Sequence, residues 1–315
     1  MTSVENLSAS FAKWREKNLK ALETNMSRTL EKLAKGQPEE IAGLIEAMAY
    51  SFLSGGKRLR PLLALASAEA VGGRAKDAFP AALAVEMIHA YSLIHDDLPA
   101  MDDDKLRRGR PTCHIAFGEA RAILAGDALL TLAFEVLLSG GPAEERLRRS
   151  EAALYLARSA GALGMVGGQA LDLAFENLAG KKRGKGGKVS PDMARDMEMR
   201  KTGELMSAAL VCGAILGGCE AGRIKKIREM GLSLGLAFQI QDDLLNLHGN
   251  AKLLGKAVGS DLERGKATLP QTMGEKKAKQ LLSELTRKTL AWAAGFDKAG
   301  RNLHNLIESL IQRQS

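Results

Sequence analysis

Residues 80–98 read PAALAVEMIHAYSLIHDDL, apolar on nearly every side of a helix until the chain meets Asp96. A helix of that kind has no face to offer to water, so it is a buried central element. Pro80 suits its first turn, where the missing N–H costs nothing. The same three- and four-residue spacing recurs elsewhere. Segment 38–54 places Ile41, Leu44, Ile45, Met48 and Phe52 on one face, and Gly55-Gly56 then supplies a stop. Segments 119–138, 150–180, 191–218, 222–247 and 275–293 repeat the pattern, and alternating strand-like stretches of useful length are absent. Aromatics are only 4%, with Leu, Ala and Met carrying the apolar load, which favours helices over strands. The expectation is a single all-α domain spanning residues 1–315, a bundle of about ten or more helices.

Five aspartates fall within nine residues at the end of the central helix: Asp96, Asp97, Asp102, Asp103 and Asp104. Crowded carboxylates are costly unless cations neutralise them. A solvated acidic loop would be flanked by polar sequence, whereas the preceding turns carry Met87, Ile88, Ala90, Leu93 and Ile94. These carboxylates therefore cap a core helix. In an unbroken helix Asp96 and Asp102 would stand about 120° apart in azimuth. Pro99 breaks the backbone hydrogen bonding and lets Asp102 fold back beside Asp96. Hard oxygen ligands so arranged suit Mg²⁺, which keeps several waters and shares its remaining positions with substrate phosphates. Thiolates and a histidine cluster are missing, so zinc fits poorly.

A second acidic cluster lies in Phe238-Gln239-Ile240-Gln241-Asp242-Asp243-Leu244-Leu245-Asn246. Gln239, Asp242, Asp243 and Asn246 are related by steps of three and four and share one side of a helix. Two acidic ends of two buried helices could face each other across a cavity and hold a metal–diphosphate complex. Cations accompany them. Lys57, Arg58 and Arg60 follow the Gly55-Gly56 pair, Arg107, Arg108 and Arg110 follow the first aspartates, and Lys201, Lys256 and Lys266 recur later. Arginine forks match phosphate oxygens, and lysine supplies compact charge.

The net charge of +8 is compatible with nucleic acid, an anionic membrane or anionic small substrates. The glycine- and lysine-rich stretch 180–188 is short and carries no aromatic residue for base stacking, so it reads as a solvated loop. Cys113, Cys212 and Cys219 are odd in number and lack C-x-x-C spacing, against a disulfide framework or a zinc site. The first thirty residues are mixed in charge and do not read as a signal peptide, and no run approaches a membrane span. The expected setting is cytoplasmic.

At these residues the sequence resembles the trans-isoprenyl diphosphate synthases, most closely the bacterial farnesyl diphosphate synthases. The resemblance runs through GGKRLRP (55–61), EMIHAYSLIHDDLPAMDDDKLRRGRPTCH (86–114), AGDALL (125–130), GGQALDL (167–173), KTGEL (201–205), FQIQDDLLN (238–246) and LGK (254–256). It implies the isoprenoid synthase fold around a deep cavity, a homodimer, and head-to-tail condensation of isopentenyl diphosphate with an allylic diphosphate. It implies three Mg²⁺ ions, with Asp96 and Asp102 as principal ligands, Asp97 beside them, Asp242 serving the third ion and Asp243 supporting it. Lys57, Arg60, His89 and Arg108 would grip isopentenyl diphosphate. Arg107, Lys201, Thr202, Gln239 and Lys256 would hold the allylic diphosphate, with Lys266 a further candidate. Tyr91, five positions before Asp96, would with Ser92 form the floor that stops the growing chain near C15.

Asn246 stands where the family's second motif usually ends in Asp, and Asn250 is another uncharged position where relatives carry an acid. The carbonyl of Asn246 keeps a donor oxygen and loses a charge, so weaker binding of the third ion is expected. Three alternatives remain at this point: a geranylgeranyl diphosphate synthase with a deeper cavity, a non-catalytic synthase subunit, and a nucleic-acid-binding module. The intact first motif argues against the second, and the company the cations keep with acidic motifs argues against the third.

Overall fold

The computed structural model describes residues 9–180, 188–248 and 266–311, and these are overwhelmingly helical. Asn250, Lys256 and the basic stretch 181–187 lie outside the described residues. The chain divides into two compact units, one of Ser8–Ala153 with Cys212–Gly218, the other including Leu154–Val211 and Cys219–Ser315.

In the first unit, helices α1 (Ala9–Ala34), α2 (Glu39–Phe52) and α3 (Leu59–Ala70) precede a short 3-10 turn and then α4 (Phe79–Asp96). α4 is the all-round apolar segment. Every residue from Ala81 to Ile88 is buried, and α1, α2, α3 and α6 (Glu119–Leu138) all pack on it. A two-residue antiparallel ribbon, β1 (Leu106–Arg107) with β2 (Arg110–Pro111), and the short α5 (Cys113–Phe117) connect α4 to α6. The ribbon was not signalled by any alternation, being too short to show one. α7 (Ala143–Ala160) begins in this unit, and Cys212–Leu216, the end of α10 (Glu204–Leu216), completes it.

That last piece packs with its backbone against α3. A Cβ at Gly213 would overlap the carbonyl of Ala64, and one at Gly217 would meet Ala68 Cα at 2.8 Å. Glycine and alanine here let two backbones approach closely, with Ala64, Ala66 and Ala68 fully buried.

The second unit holds α8 (Met165–Gly180), α9 (Pro191–Glu198), the start of α10, α11 (Ala221–His248), α12 (Leu269–Met273), α13 (Glu275–Ala294) and α14 (Arg301–Ile311). Ser190 caps α9 by accepting from the Met193 N–H at 3.2 Å, and Pro191 opens it. Two expectations need correction. Residues 150–180 are not one helix but α7 and α8, broken at the Gly161–Gly164 turn, since glycine lowers the cost of leaving the helix. Segment 191–218 is helical as far as Leu216, but Met199–Gly203 is a π-helical turn between α9 and α10. The core of this unit joins Ala194, Leu236, Ala237, Ile240, Leu269, Ala278 and Leu285. Among the described residues no helix is long and apolar enough to cross a membrane.

The α3–α10 contact gives a direct test. Gly213→Ala must push apart two backbones that have no flexible side chain to yield, so it should destabilise the protein by roughly 1–3 kcal/mol. Urea unfolding followed by circular dichroism would measure this, and an unchanged midpoint would refute the close approach.

Candidate active site

α4 delivers Asp96 as its last residue, after which the chain turns on itself. Met101 N donates to Leu98 O at 2.9 Å, and Asp102 N donates to the carbonyl of Asp96 itself at 2.9 Å. Pro99, having no N–H, leaves the helical ladder at this point. Asp103 takes a left-handed conformation, φ 49°, that turns the chain toward the ribbon. Asp96 and Asp102 are thus adjacent and half-buried.

Asp97 points elsewhere. One residue further around the helix it is buried, and its two oxygens accept from Arg107 Nε at 2.7 and 3.0 Å. Arg107 Nη2 adds a contact of 2.5 Å to Asp97 and one of 3.5 Å to Asp104. Burial pushes the Asp97 carboxyl upward and the Arg107 guanidinium opposes the shift. The structure pairs Asp97, expected as a metal ligand, with Arg107, expected on the allylic diphosphate. The pair braces the turn that carries Asp96 and Asp102.

Among the described residues no three His, Cys, Asp or Glu side chains converge as a ready cation cage. Mg²⁺ does not require one. It dehydrates reluctantly and binds through one or two carboxylates together with phosphate oxygens and waters. The hydrogen-bonded Asp96–Asp102 pair fits that demand.

The cations of the same unit divide into two groups. Arg58, at φ 47° before α3, turns inward, and its guanidinium meets the buried carboxylate of Glu86 at 2.6 Å. It holds α3 to α4 and is not available to a ligand. Lys57 is exposed and Arg60 half-buried, with Arg60 Nε enclosed and lacking a hydrogen-bond acceptor. Burial lowers the Arg60 pKa, with Glu86 partly opposing. Arg108 donates to the Gly55 carbonyl and, at 3.4 Å, to Ser54 Oγ. Gly56 has φ 121°, which favours glycine, and a Cβ there would lie 2.7 Å from Arg108 Nη1 and displace that guanidinium.

His89 lies among these charges. Burial first, and then Arg60, Arg108, Arg107 and Arg58, hold its pKa well below the ordinary histidine value. A neutral imidazole amid several guanidiniums, with Glu86 already taken by Arg58, describes a pocket short of negative charge. Tyr91 is 6% exposed, and burial, with Asp96 adding to it, pushes its phenol up to about 12. It is a neutral wall two helical turns below the carboxylates' level at most. Ser92 is half-buried with its hydroxyl turned back to the His89 carbonyl at 3.0 Å, so its polar end is already satisfied.

In the second unit the π turn carries Lys201 and Thr202. π-helical turns re-aim side chains that a regular helix would distribute evenly. Lys201 Nζ meets the buried carboxylate of Asp172 at 2.5 Å. Thr202 Oγ1 donates to Gln239 Oε1 at 2.9 Å, and Gln239 Nε2 donates to Asp243 Oδ1 at 2.8 Å. Asp243 is buried while its neighbour Asp242 is exposed, so the two acids of the second motif have different surroundings. Asn246 is half-buried on the same helix. Lys266 lies 3.8 Å from Glu176. The backbone crowds this turn: a Cβ on Gly235 would sit 2.5 Å from Gly203 Cα, and one on Gly168 would overlap the backbone of Lys201.

Several organising residues escaped the sequence reading. Glu198, immediately before the π turn, is buried, and its Oε1 accepts from the Leu269 N–H at 3.0 Å. Burial and the neighbouring Asp243 hold its carboxyl well above the usual range. Nothing in the local sequence marks it. Asp172 lies inside the GGQALDL motif and Glu86 opens the long 86–114 match, yet neither pattern says which cation each would meet.

Comparison with known proteins fits these features. The polyprenyl synthetase family matches residues 42–298. The chain is 44% identical over 267 residues to the farnesyl diphosphate synthase of Geobacillus stearothermophilus, covering 84% of each. It is 46% identical over 255 residues to geranylgeranyl pyrophosphate synthase 3 of Arabidopsis thaliana, a chloroplastic protein, covering 80% of this chain and 69% of that one. Among solved structures, a FPP/GFPP synthase of Zymomonas mobilis superposes with a TM-score of 0.81 at 32% identity, covering 97% and 100% of the two chains. The geranyltransferase of Helicobacter pylori, complexed with magnesium and isoprenyl diphosphate, superposes with a TM-score of 0.79 at 28% identity, covering 98% and 100%. Two aspartates at the end of a buried helix, the arginines gathered near His89 and these matches lead to one conclusion: the chain belongs to the polyprenyl synthetase family, as a prenyltransferase with the isoprenoid synthase fold.

Proposed function

We propose that this prenyltransferase condenses isopentenyl diphosphate with dimethylallyl and geranyl diphosphates to make farnesyl diphosphate, using Mg²⁺. The observation that carries the reading is the loop in which Asp102 N–H bonds to Asp96 O, bringing the backbones of two aspartates together at the end of a buried helix. Asp96 and Asp102 are assigned to Mg²⁺ and Asp242, supported by buried Asp243, to the third of three ions. When bound, Mg²⁺ neutralises the departing diphosphate as allylic cation character develops.

The chain's own groups do the remaining work. Arg60, Arg108 and Lys57 attract the isopentenyl diphosphate, and neutral His89 offers it a hydrogen bond without adding a charge that burial would penalise. Lys201, Thr202 and Gln239 serve the allylic diphosphate by leaving their present partners for phosphate oxygens, with Lys256 and Lys266 as additional cations. Arg107 contributes through Asp97. Apolar walls keep water from the developing cation, and the proton lost at the end passes to released diphosphate. Both units are read as one catalytic domain.

A homodimer is supported by apolar side chains on α5 and α6 that the single chain leaves in water, including Ile115, Ile123 and Leu124, the last 55% exposed. Three unpaired cysteines suit a cytoplasmic setting. The 46% identity to a geranylgeranyl pyrophosphate synthase makes a C20 product the second reading.

Incubation with Mg²⁺, isopentenyl diphosphate and C5, C10 or C15 allylic diphosphates, followed by product sizing, should give C15 as the end product. Absence of product from every starter would overturn the reading, and C20 would favour the alternative. Replacing Asp96 with Asn should lower kcat by on the order of a hundredfold or more, since it removes stabilisation of the leaving group. Tyr91→Ala should lengthen the product, and an unchanged product would remove Tyr91 from the floor. Asn246→Asp should reduce the Mg²⁺ concentration needed for half-maximal turnover. His89 has its own signature. Its folded pKa is depressed, so the unfolded chain takes up a proton below the ordinary value of 6.5 while the folded chain does not. Stability should therefore fall as pH drops below that value, and His89→Gln should lessen the loss in melts between pH 7 and 5.

A further inference from the structure

His95 directly precedes Asp96, and its ring is held by contacts that neither the function nor the family match requires. Its Nε2 lies 3.1 Å from the carbonyl of Ile123 on α6. A carbonyl can only accept, so this nitrogen carries the proton. The ring lies directly over Gly126, where a Cβ would overlap Nε2 and stand 2.5 Å from Cδ2. On its other side it meets Tyr91 edge-on, with ring centroids 5.8 Å apart and planes at 75°. Asp127 Oδ1 stands 3.9 Å from Nε2, too far for a hydrogen bond.

These contacts act at the last turn of α4. That turn keeps its backbone bonds as far as Asp102, but these are local and do not tie it to the neighbouring α6. The imidazole supplies what the backbone does not: a donor to a neighbouring helix, seated in a slot only glycine leaves open. We propose that His95 is a positioning residue for the reaction, setting the level of Asp96 through Ile123 and Gly126, and bracing the Tyr91 ring from above.

The inference rests on the assignment of Asp96 to Mg²⁺ and is testable separately from it. His95→Ala should raise the Mg²⁺ concentration for half-maximal turnover and lower kcat, by on the order of ten- to a hundredfold, because small displacements of reacting groups cost that much. It should also loosen the floor and add longer products. His95→Gln, whose amide Nε2 can donate to Ile123 O, should restore most of the Mg²⁺ response. Gly126→Ala should reproduce the His95→Ala profile by displacing the ring. The double variant should be no worse than either single one, since the clash and the hydrogen bond disappear together. Thermal melts on each variant verify folding, and His95→Gln and His95→Ala carry the test if Gly126→Ala does not fold.

A folded His95→Ala with wild-type Mg²⁺ response and products would overturn the inference, as would additive losses in the double variant. The Asp96→Asn control separates the two levels. If Asp96→Asn leaves the Mg²⁺ response unchanged, the metal assignment fails. If it shifts the response while His95→Ala does not, only the positioning role fails.

Discussion

Placing carboxylates at the C-terminal end of a buried helix is electrostatically unfavourable, and much of the site follows from how that cost is met. The helix already ends in unsatisfied carbonyls equivalent to about half a negative charge. α4 adds Asp96 and Asp97 there and then returns the chain to place Asp102 alongside. One cation is built in, since Arg107 takes up buried Asp97. Asp96 and Asp102 stand half-buried beside that pair, and carboxylates of this kind suit an oxygen-seeking divalent ion that brings its own phosphate. α11 repeats the theme in its own unit: Asp243 is buried against Gln239, while Asp242 is exposed.

Glycine supplies the precision that these charges need. Gly56 leaves room for the Arg108 guanidinium, and Gly126 for the His95 ring. In the second unit Gly168 and Gly235 let backbones close around the π turn that bears Lys201 and Thr202. In each case a missing Cβ places a functional side chain by allowing its neighbours to come closer than any other residue would permit.

The helices, the central position of α4 and the break at Pro99 were readable in the sequence, because each depends on residues near one another in the chain. Periodicity identifies a buried helix, and proline interrupts a hydrogen-bond ladder wherever it stands. The partners of the charged residues were not readable. Arg58 and Arg60 look equivalent in KRLR, yet one is neutralised by Glu86 and the other is not. Asp96 and Asp97 look equivalent in the first motif, yet a single step around the helix gives Asp97 to Arg107. Glu198 could not be singled out, since its burial depends on Leu269, seventy-one positions away.

The sequence by itself determined the class of fold, the family and the positions of the two acidic clusters, since local pattern and side-chain chemistry suffice for these. Only the tertiary structure decided which carboxylates are buried, which cations they meet, and where a helix relaxes into a π turn. Charge pairing and close backbone approach act across space between residues remote in sequence, and no local pattern encodes the direction in which a side chain will find its partner.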